Sequence, residues 1–454
     1  MAKPARKSYE MDMCHGPLVG KLLVFTIPVM LSGILQLLFN AADIVVVGRF
    51  AGSQALAAVG SNGSLINLIV NVFIGISIGS NVLVARHYGA GEYEEVHKTV
   101  HTSILTSFIF GIVLIFVGLV AARPLLEMMG TPEDVIDLAE VYLRIYFVGM
   151  PVNMLYNFGS AILRAVGDTR RPLYFLVIAG IVNVFLNLFF VIVCHMSVAG
   201  VALATIISQA ISAILVVICL MRSDSCVRLS LRQLRIYKKK LAQMIRIGLP
   251  AGMQGAIFSI SNVLIQSSVN SFGSVAMAGN AAASNIEGFI YIAMNSFYQA
   301  SLSFTSQNSG AGLFKRVYKV LGLCLVMVAV TGICLGSLAL IFGSPLLGIY
   351  SAEGDVIQFG LLRMGYICTT YFLCGLMDVT VGSLRGLGYS VTPMIISLTG
   401  ACAFRVVWIF TVFQWRRSLD TLYISYPVSW AITAAAQLLC FFIVIRRVKR
   451  RAAG

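Results

Sequence analysis

Long apolar stretches alternate with short polar segments along almost the whole chain. Each stretch holds about 20 mostly apolar residues, the length that an α-helix needs to cross the hydrocarbon core of a bilayer. The pattern therefore predicts an all-α membrane protein. Its twelve predicted helices lie at about 22–47, 55–84, 97–121, 135–160, 172–194, 198–221, 243–270, 277–306, 318–343, 356–382, 391–413 and 423–445.

Short motifs from the first half of the chain recur in the second half, 221 residues later. The matches fall mainly on Gly, Pro and Arg, which indicates duplicated backbone geometry rather than shared composition. In an apolar chain, such duplication is typical of a transporter. The pairs include Gly89-Ala90-Gly91 with Gly310-Ala311-Gly312, and Leu163-Arg164, Gly167 and Pro172 with Leu384-Arg385, Gly388 and Pro393.

Six predicted helices fall in each half of the chain. An even number makes the second half enter the membrane from the same side as the first, so we expect two six-helix lobes related by a parallel pseudo-two-fold repeat. The predicted domains are an N-terminal lobe at 1–221, a basic cytoplasmic linker at 222–242, and a C-terminal lobe at 243–454 that ends in a basic cytoplasmic tail.

Composition and charge agree with a membrane location. The chain is 58% hydrophobic and 11% charged, whereas a soluble domain carries roughly 25% charged residues. Basic residues concentrate at the N-terminus, in the linker and in the tail, which places both termini in the cytoplasm. The net charge of +15 is therefore a topology signal in a multi-pass protein of the cytoplasmic membrane. We expect the basic linker Arg232–Lys240 to contact anionic headgroups of the lipid bilayer, and no nucleic acid.

One motif has the spacing of a hydrolase nucleophile elbow, Gly75-Ile76-Ser77-Ile78-Gly79. It lies inside a predicted membrane helix, without the strand, turn and helix that expose such a serine. We interpret its small residues as a surface for close helix packing. The sequence thus predicts a protein that is not an enzyme and that needs no cofactor.

Polar side chains inside the predicted helices recur at spacings that place them on one helix face. They are costly in hydrocarbon unless they face protein or water. Hydrogen bonds between helices account for some of them, but similar stripes on several helices predict a shared, hydrated interior. The stripes include Gln36, Asn40 and Asp43; Asn153 and Asn157; Asn183 and Asn187; and Asn280, Glu287 and Tyr291.

Few ionisable side chains are predicted to lie deep in the helices: Asp43 in the first half, and Glu287, Asp378 and Arg405 in the second. Surroundings of low dielectric constant disfavour the charged form of an isolated carboxylate. Such a group takes up a proton, or binds a cation with the help of neighbouring oxygens, and either behaviour suits a coupling site. In the second half, one carboxylate could neutralise Arg405 and leave the other as the candidate.

Taken together, the repeated motifs resemble those of the multidrug and toxic compound extrusion (MATE) family, in one of its prokaryotic branches, over about residues 20–445. The resemblance implies two six-helix lobes in a V shape. It also implies a secondary active antiporter that exports organic, cationic and amphiphilic small molecules by alternating access, in exchange for protons or sodium ions. The motifs that carry it are Arg86–Gly91 with Gln307–Gly312, Leu163–Pro172 with Leu384–Pro393, and Pro28, Asp43 and Gly48 on the first helix.

In that family the coupling cation binds an Asp on helix one, two residues one turn apart on helix five and a Thr on helix six. These positions are Asp43, Asn183, Asn187 and Thr205 in this chain. Many members have Asp where this chain has Asn187, so the site here holds one carboxylate. One carboxylate with amide and hydroxyl oxygens suits Na⁺ as well as a proton.

The second lobe departs from similar sodium-driven members, which often carry Glu on helix seven and Asp on helix ten. Phe258 and Cys374 occupy the matching positions. We expect a monomer with a hinge at Pro28 and a substrate cavity. The alternative is a lipid-linked saccharide flippase of the same superfamily, for which a more cationic cavity is expected. The candidate cavity residues are Gln36, Asn40, Asn153, Asn157, Asn262, Glu287, Tyr291, Asp378 and Arg405.

Overall fold

A computed structural model of the protein describes residues 9–453, apart from the side chains of Ser53, Ser61, Ser64 and residues 451–453. The basic N-terminal residues Lys3, Arg6 and Lys7 lie outside the described residues. Within residues 9–453 every regular element is helical, as the sequence predicts. The helices are α1 (Leu18–Phe50), α2 (Ser53–Gly89), α3 (Tyr93–Met128), α4 (Glu133–Val148), α5 (Met150–Ala165), α6 (Arg170–Leu188), α7 (Ser197–Met221), α8 (Lys238–Asn270), α9 (Ser274–Gly310), α10 (Phe314–Ile341), α11 (Gly343–Gly348), α12 (Gly354–Gly386), α13 (Val391–Ser397), α14 (Phe404–Phe410), α15 (Val412–Trp415), α16 (Leu419–Tyr423) and α17 (Ser425–Ala453). Phe189–Val193 and Leu398–Ala403 are π-helical, and Leu231–Gln233 form a 3₁₀ turn.

Ten helical stretches of the described residues are long and apolar enough to cross a membrane. Two of the twelve predicted spans are not among them. The fourth is divided at Gly149 into α4 and α5, of 16 residues each. The eighth is the 37-residue α9, which carries buried polar side chains such as Asn280 and Glu287. The all-helical membrane architecture is thus confirmed, and the count of twelve spans stays a prediction.

The duplicated motifs have duplicated backbone geometry, as their sequence predicts. Gly52 and Gly273, which precede α2 and α9, have φ of 91° and 96°. Gly167 and Gly388, which follow α5 and α12, both have φ of 89°. These values lie in a region that side chains with a Cβ rarely adopt. The repeat therefore preserves glycine where the chain makes the same turn twice.

The chain forms two compact units. The first contains Leu31–Gly252 and the described residues up to His15, and the second contains Gly16–Met30 and the residues from Met253 onwards. The boundary therefore falls inside α1 and inside α8. Both helices continue through an internal proline, Pro28 in α1 and Pro250 in α8, two residues before the boundary.

In the first unit, α2 and the start of α8 pack backbone against backbone. A Cβ added to Gly75 would overlap the backbone of Gly252, and one added to Gly79 would overlap the backbone carbonyl of Met244. Gly248 is equally close to the backbone of Ile76. The interpretation of the glycine-spaced motif as a helix-packing surface is confirmed.

The segment between α7 and α8 also belongs to the first unit and packs on the start of α3. The backbone N–H of Ser230 donates to Nε2 of His101 over 3.1 Å. Lys240, inside the predicted linker, already lies in α8 and is buried, and its ammonium pairs with Glu95 at 2.6 Å. Lys240 is therefore not available to the lipid headgroups expected to contact the linker.

The second unit is centred on α9 and α12, which approach closely through small residues. A Cβ on Gly279 would lie 2.6 Å from the backbone oxygen of Val356. The Ser301 hydroxyl donates to the Val379 carbonyl over 2.9 Å and lies 2.7 Å from the hydroxyl of Ser383. An aromatic-rich core continues from this pair of helices to α16 and α17, with Tyr423, Tyr426 and Trp430 as its large members.

Candidate functional site

The first unit contains a buried cluster of one carboxylate and two amides. Asp43 lies on α1 and is 9% exposed. Asn183 and Asn187 lie one turn apart on α6, and both are buried. The Asn187 amide nitrogen donates to Oδ1 of Asp43 and, over 3.2 Å, to Oδ1 of Asn183. The structure thus brings together three of the four residues that the resemblance assigned to the coupling site.

Asn187 leaves one buried polar atom without a partner. Its amide nitrogen serves both Asp43 and Asn183, whereas its carbonyl oxygen Oδ1 is buried and makes no hydrogen bond. An unsatisfied buried oxygen is costly, typically by about 1–3 kcal/mol. The cluster therefore offers an acceptor for a proton donor or a cation next to the carboxylate.

Thr205, the fourth expected residue, faces the same carboxylate from α7. Its hydroxyl donates to the Val201 carbonyl over 2.9 Å and lies within hydrogen-bonding reach of Asp43. The donated proton leaves the lone pairs of Oγ1 free to accept. One carboxylate, two amide oxygens and one hydroxyl oxygen form a donor set that fits Na⁺ as well as a proton.

A glycine positions α1 against α6 one turn before the cluster. A Cβ on Gly180 would overlap the ring of Phe39, so the absent side chain lets the ring lie on the α6 backbone. Phe39 precedes Asp43 by one turn, and Gly180 precedes Asn183 by three residues. Immediately beyond Asn187, α6 passes into the π-helical segment Phe189–Val193. Such segments occur frequently at functional sites.

The other candidate residues of the first unit do not join this cluster. Gln36 and Asn40 are exposed on α1. Asn153 and Asn157 are half-buried on α5 and bond to each other, with Nδ2 of Asn157 2.9 Å from both oxygens of Asn153. The stripe on α5 is therefore partly satisfied within its own helix.

In the second unit, Glu287 is a member of a saturated ion pair. Arg363 on α12 donates through Nε to Oε1 of Glu287 over 2.9 Å and through Nη2 to Oε2 over 2.7 Å. Both side chains are buried. The possibility that Glu287 neutralises Arg405 is thus wrong, because Arg363 holds both carboxylate oxygens. A paired Glu287 adds no net negative charge to a cavity.

The network around this pair includes residues that the sequence analysis did not select. Arg363 also donates to Oδ1 of Asn280 over 2.7 Å, and the Tyr423 hydroxyl donates to the same oxygen over 3.2 Å. One signal could have revealed the arginine. A deep Glu requires a partner, and Arg363 lies in an apolar segment of the same half.

The remaining candidates of the second unit differ in exposure. Asn262 and Tyr291 are exposed, and Asp378 is half-buried. Asp378 lies within reach of the Tyr291 hydroxyl and in the field of Arg385. Arg405 on α14 is 3% exposed and donates through Nε to the Ser429 hydroxyl over 2.9 Å. The structure does not gather these four side chains into one hydrogen-bonded cluster.

Comparison with known proteins agrees with this architecture. The MatE family model matches residues 28–189 and 250–411. The chain is 28% identical over 422 residues to the probable multidrug resistance protein YoeA of Bacillus subtilis, covering 90% of each chain. It is 24% identical over 392 residues to the FAD transporter of Shewanella oneidensis, covering 85% of this chain and 86% of that one.

Among solved structures, the fold is similar to an outward-facing multidrug resistance MATE family transporter of the MOP superfamily. The TM-score is 0.91 at 20% identity, over 98% of this chain and 100% of that one. A mutant of the Vibrio cholerae MATE transporter VcmN gives 0.87 at 21% identity, over 94% and 97% of the two chains.

The long apolar helices and the repeated halves define a multi-pass membrane transporter, a class that is not enzymatic. Since the family model matches both halves, the chain belongs to the MatE family.

Proposed function

We propose that the protein is a secondary active antiporter that exports organic amphiphilic molecules across the cytoplasmic membrane in exchange for protons or sodium ions. The observation that carries this proposal is the surroundings of Asp43. Its carboxylate is buried and bonded by the amide of Asn187, and the unpartnered Oδ1 of Asn187 lies in the same cluster. Such a carboxylate gains from any cation that reaches it.

The two coupling ions would use the same atoms in different ways. With Asp43 charged, the Asn187 amide nitrogen faces the carboxylate, as in this structure. A proton on Asp43 requires an acceptor, which a half-turn of the Asn187 amide group supplies as Oδ1. Na⁺ instead takes the carboxylate, the two amide oxygens of Asn183 and Asn187 and the hydroxyl of Thr205. In either case the ion satisfies the unpaired oxygen and neutralises Asp43.

Neutralisation of Asp43 would drive alternating access. In the charged state the protein admits substrate from the cytoplasm, and arrival of the ion rearranges α1 and releases substrate outward. A decisive shift between two states needs about 5.5 kcal/mol of differential affinity, and charging a desolvated carboxylate is a change of that order. We place the bend at Pro28, because a helix proline removes one backbone hydrogen bond.

The substrate class follows from the second unit. Asp378 is half-buried and, unlike Glu287, forms no ion pair closer than 4.0 Å among the described residues. We therefore propose that it attracts a cationic group of the substrate. The relatives named as multidrug resistance proteins favour export over the lipid-linked saccharide flippase. The working unit is a monomer with both termini in the cytoplasm.

Reconstitution into proteoliposomes tests this proposal. Vesicles loaded with a fluorescent organic cation receive a pH gradient, a sodium gradient or neither, and dye efflux is followed. We expect efflux well above that of protein-free vesicles with at least one gradient, and the effective gradient identifies the coupling ion. Equal efflux with and without gradients would overturn the proposal.

The chain offers a matched pair of variants for the same assay. Asp43→Asn should reduce gradient-driven efflux to the protein-free level while the protein stays folded. Asp355→Asn makes the same chemical change at an exposed position in the first turn of α12, and should retain wild-type efflux. Full activity of Asp43→Asn would show that the coupling site lies elsewhere.

A further inference from the structure

The second unit buries an arginine that lacks a counter-charge. Arg405 is 3% exposed, and its Nη2 is buried without a hydrogen-bond partner. Its Nε donates to a neutral hydroxyl, that of Ser429. Among the described residues it forms no ion pair, whereas Arg363 in the same unit is held by both oxygens of Glu287. Since burying an unpaired charge is costly, Arg405 calls for a functional explanation.

Aromatic rings hold the guanidinium in place. The Cζ atom of Arg405 lies 4.2 Å from the centre of the Tyr426 ring and 5.5 Å from that of Trp430. Trp430 stacks on Tyr371 at 5.3 Å. Aromatic faces stabilise a guanidinium and fix its plane, but they do not occupy its N–H groups. The rings therefore orient Arg405 and leave its Nη2 edge free to donate.

The position of Arg405 in the repeat gives an independent argument. The two segments matched by the family model start at 28 and 250 and end at 189 and 411, so they are 222 residues apart at both ends. A π-helical turn accommodates one extra residue. The segment Leu398–Ala403, just before Arg405, thus explains why the spacing here exceeds that of the motifs. At 222 residues, Asp43, Asn183 and Asn187 correspond to Ile265, Arg405 and Ile409.

The second copy of the coupling site has therefore reversed its charge. Ile265 and Ile409 lie in one core cluster with Tyr426 and Trp430, the rings that hold Arg405. A carboxylate with two amides in the first copy is replaced by a guanidinium with two isoleucines in the second. The first arrangement suits a cation, and the second suits an anion.

We propose that Arg405 anchors an anion-binding subsite for the carboxylate or phosphate group of a planar organic substrate, whose ring packs against Trp430 and Tyr371. An oxyanion accepts charge-assisted hydrogen bonds from a guanidinium, and the aromatic walls exclude water and match a flat ring. This inference rests on the proposed function only in taking the ligand to be cargo. Such a substrate carries an anionic group in addition to any cationic group that Asp378 attracts.

Equilibrium binding to the purified protein in detergent tests the subsite without any gradient. The probes are 1-naphthoate, 1-naphthyl phosphate and 1-naphthylmethylammonium, which share a ring and differ in charge. We expect the wild type to bind at least one of the two anions on the order of 10-fold or more tightly than the ammonium probe, since hydrogen bonds to charged groups have that worth. The tighter of the two anions identifies the preferred group. Equal affinity for all three probes would overturn the proposal.

Variants locate the site. Arg405→Gln should weaken binding of the preferred anion by about 10- to 100-fold, with Arg405→Lys intermediate because its ammonium is not a planar fork. Arg417→Gln, at an exposed arginine, is the matched control and should bind as the wild type does. Unchanged anion affinity in Arg405→Gln would contradict the assignment. Asp43→Asn should leave anion binding intact, which separates failure of this subsite from failure of the exchange mechanism.

Discussion

Asp43 in the first unit and Glu287 in the second are both buried carboxylates on long helices, but their partners differ. Glu287 receives two N–H groups from the guanidinium of Arg363, at 2.9 and 2.7 Å, so its charge is cancelled. Asp43 receives the neutral amide of Asn187, so its charge remains. A saturated ion pair holds a fold together and has little to gain from another ion. A carboxylate with neutral partners gains when a cation arrives.

The difference shows how a duplicated fold separates two tasks. Both halves keep the glycines that shape their turns, with φ of 89° at Gly167 and at Gly388. The polar groups on these equal scaffolds have diverged, so that the first unit holds the coupling carboxylate and the second holds a structural ion pair and the unpaired Arg405. Stability and ion response should therefore fail separately when the two sites are mutated.

The largest expected effect on stability comes from breaking the ion pair. Arg363→Met leaves Glu287 buried and unpaired, which should cost about 3–5 kcal/mol and lower the melting temperature of the purified protein. Thermal unfolding followed by circular dichroism measures it.

A double variant sharpens this result. Arg363→Met combined with Glu287→Leu removes both charges, and an apolar pair of similar volume is often neutral or stabilising. The double variant should therefore recover most of the lost stability. A double variant as unstable as Arg363→Met alone would show that the pair is not the source of the effect.

The next effect concerns the amide that contacts the coupling carboxylate. Asn187→Leu keeps the side-chain size and removes the donor to Asp43, and loss of a hydrogen bond to a charged group should cost about 1.5–3 kcal/mol. Denaturant titration compares its unfolding free energy with that of Asn262→Leu, an exposed amide on α8. Equal stability of the two variants would argue against the bond to Asp43.

A packing change should alter the same site from a distance. Gly180→Ala places a methyl group where the Phe39 ring lies, and overpacking typically costs about 1–3 kcal/mol. Because the displaced ring precedes Asp43 by one turn, initial exchange rates in proteoliposomes should fall as well. The control is Gly322→Ala, where a Cβ meets nothing within 4 Å. Exchange by Gly180→Ala at the wild-type rate would show that this contact does not position Asp43.

The smallest expected effect is at a hydrogen bond between two helices of the second unit. Ser301→Ala removes the donor to the Val379 carbonyl, at a net cost of about 0.5–1.5 kcal/mol. It should lower the melting temperature slightly and leave substrate efflux unchanged. A loss of efflux without loss of stability would give α9 a role in transport that its packing does not suggest.

The sequence predicted most of what depends on local pattern. Hydrophobic length indicated the helices, and the spacing of Gly89 and Gly310 indicated the repeat. The family resemblance selected Asp43, Asn183, Asn187 and Thr205, which the structure brings together. Local pattern could not predict pairs fixed by tertiary packing. Arg363 and Glu287 are 76 residues apart, and the overlap that a Cβ on Gly180 would make with Phe39 follows only from how α1 meets α6.

The most direct measurement of the central claim is the ion dependence of substrate binding to purified protein in detergent. If the coupling ion acts by neutralising Asp43, affinity of the wild type for a fluorescent organic cation should fall as proton or sodium concentration rises. Glu287→Gln, measured below its melting temperature, should show the same dependence. Asp43→Asn should still bind the dye, with an affinity independent of both ions. An Asp43→Asn variant whose dye affinity responds to the ions as the wild type does would contradict the account.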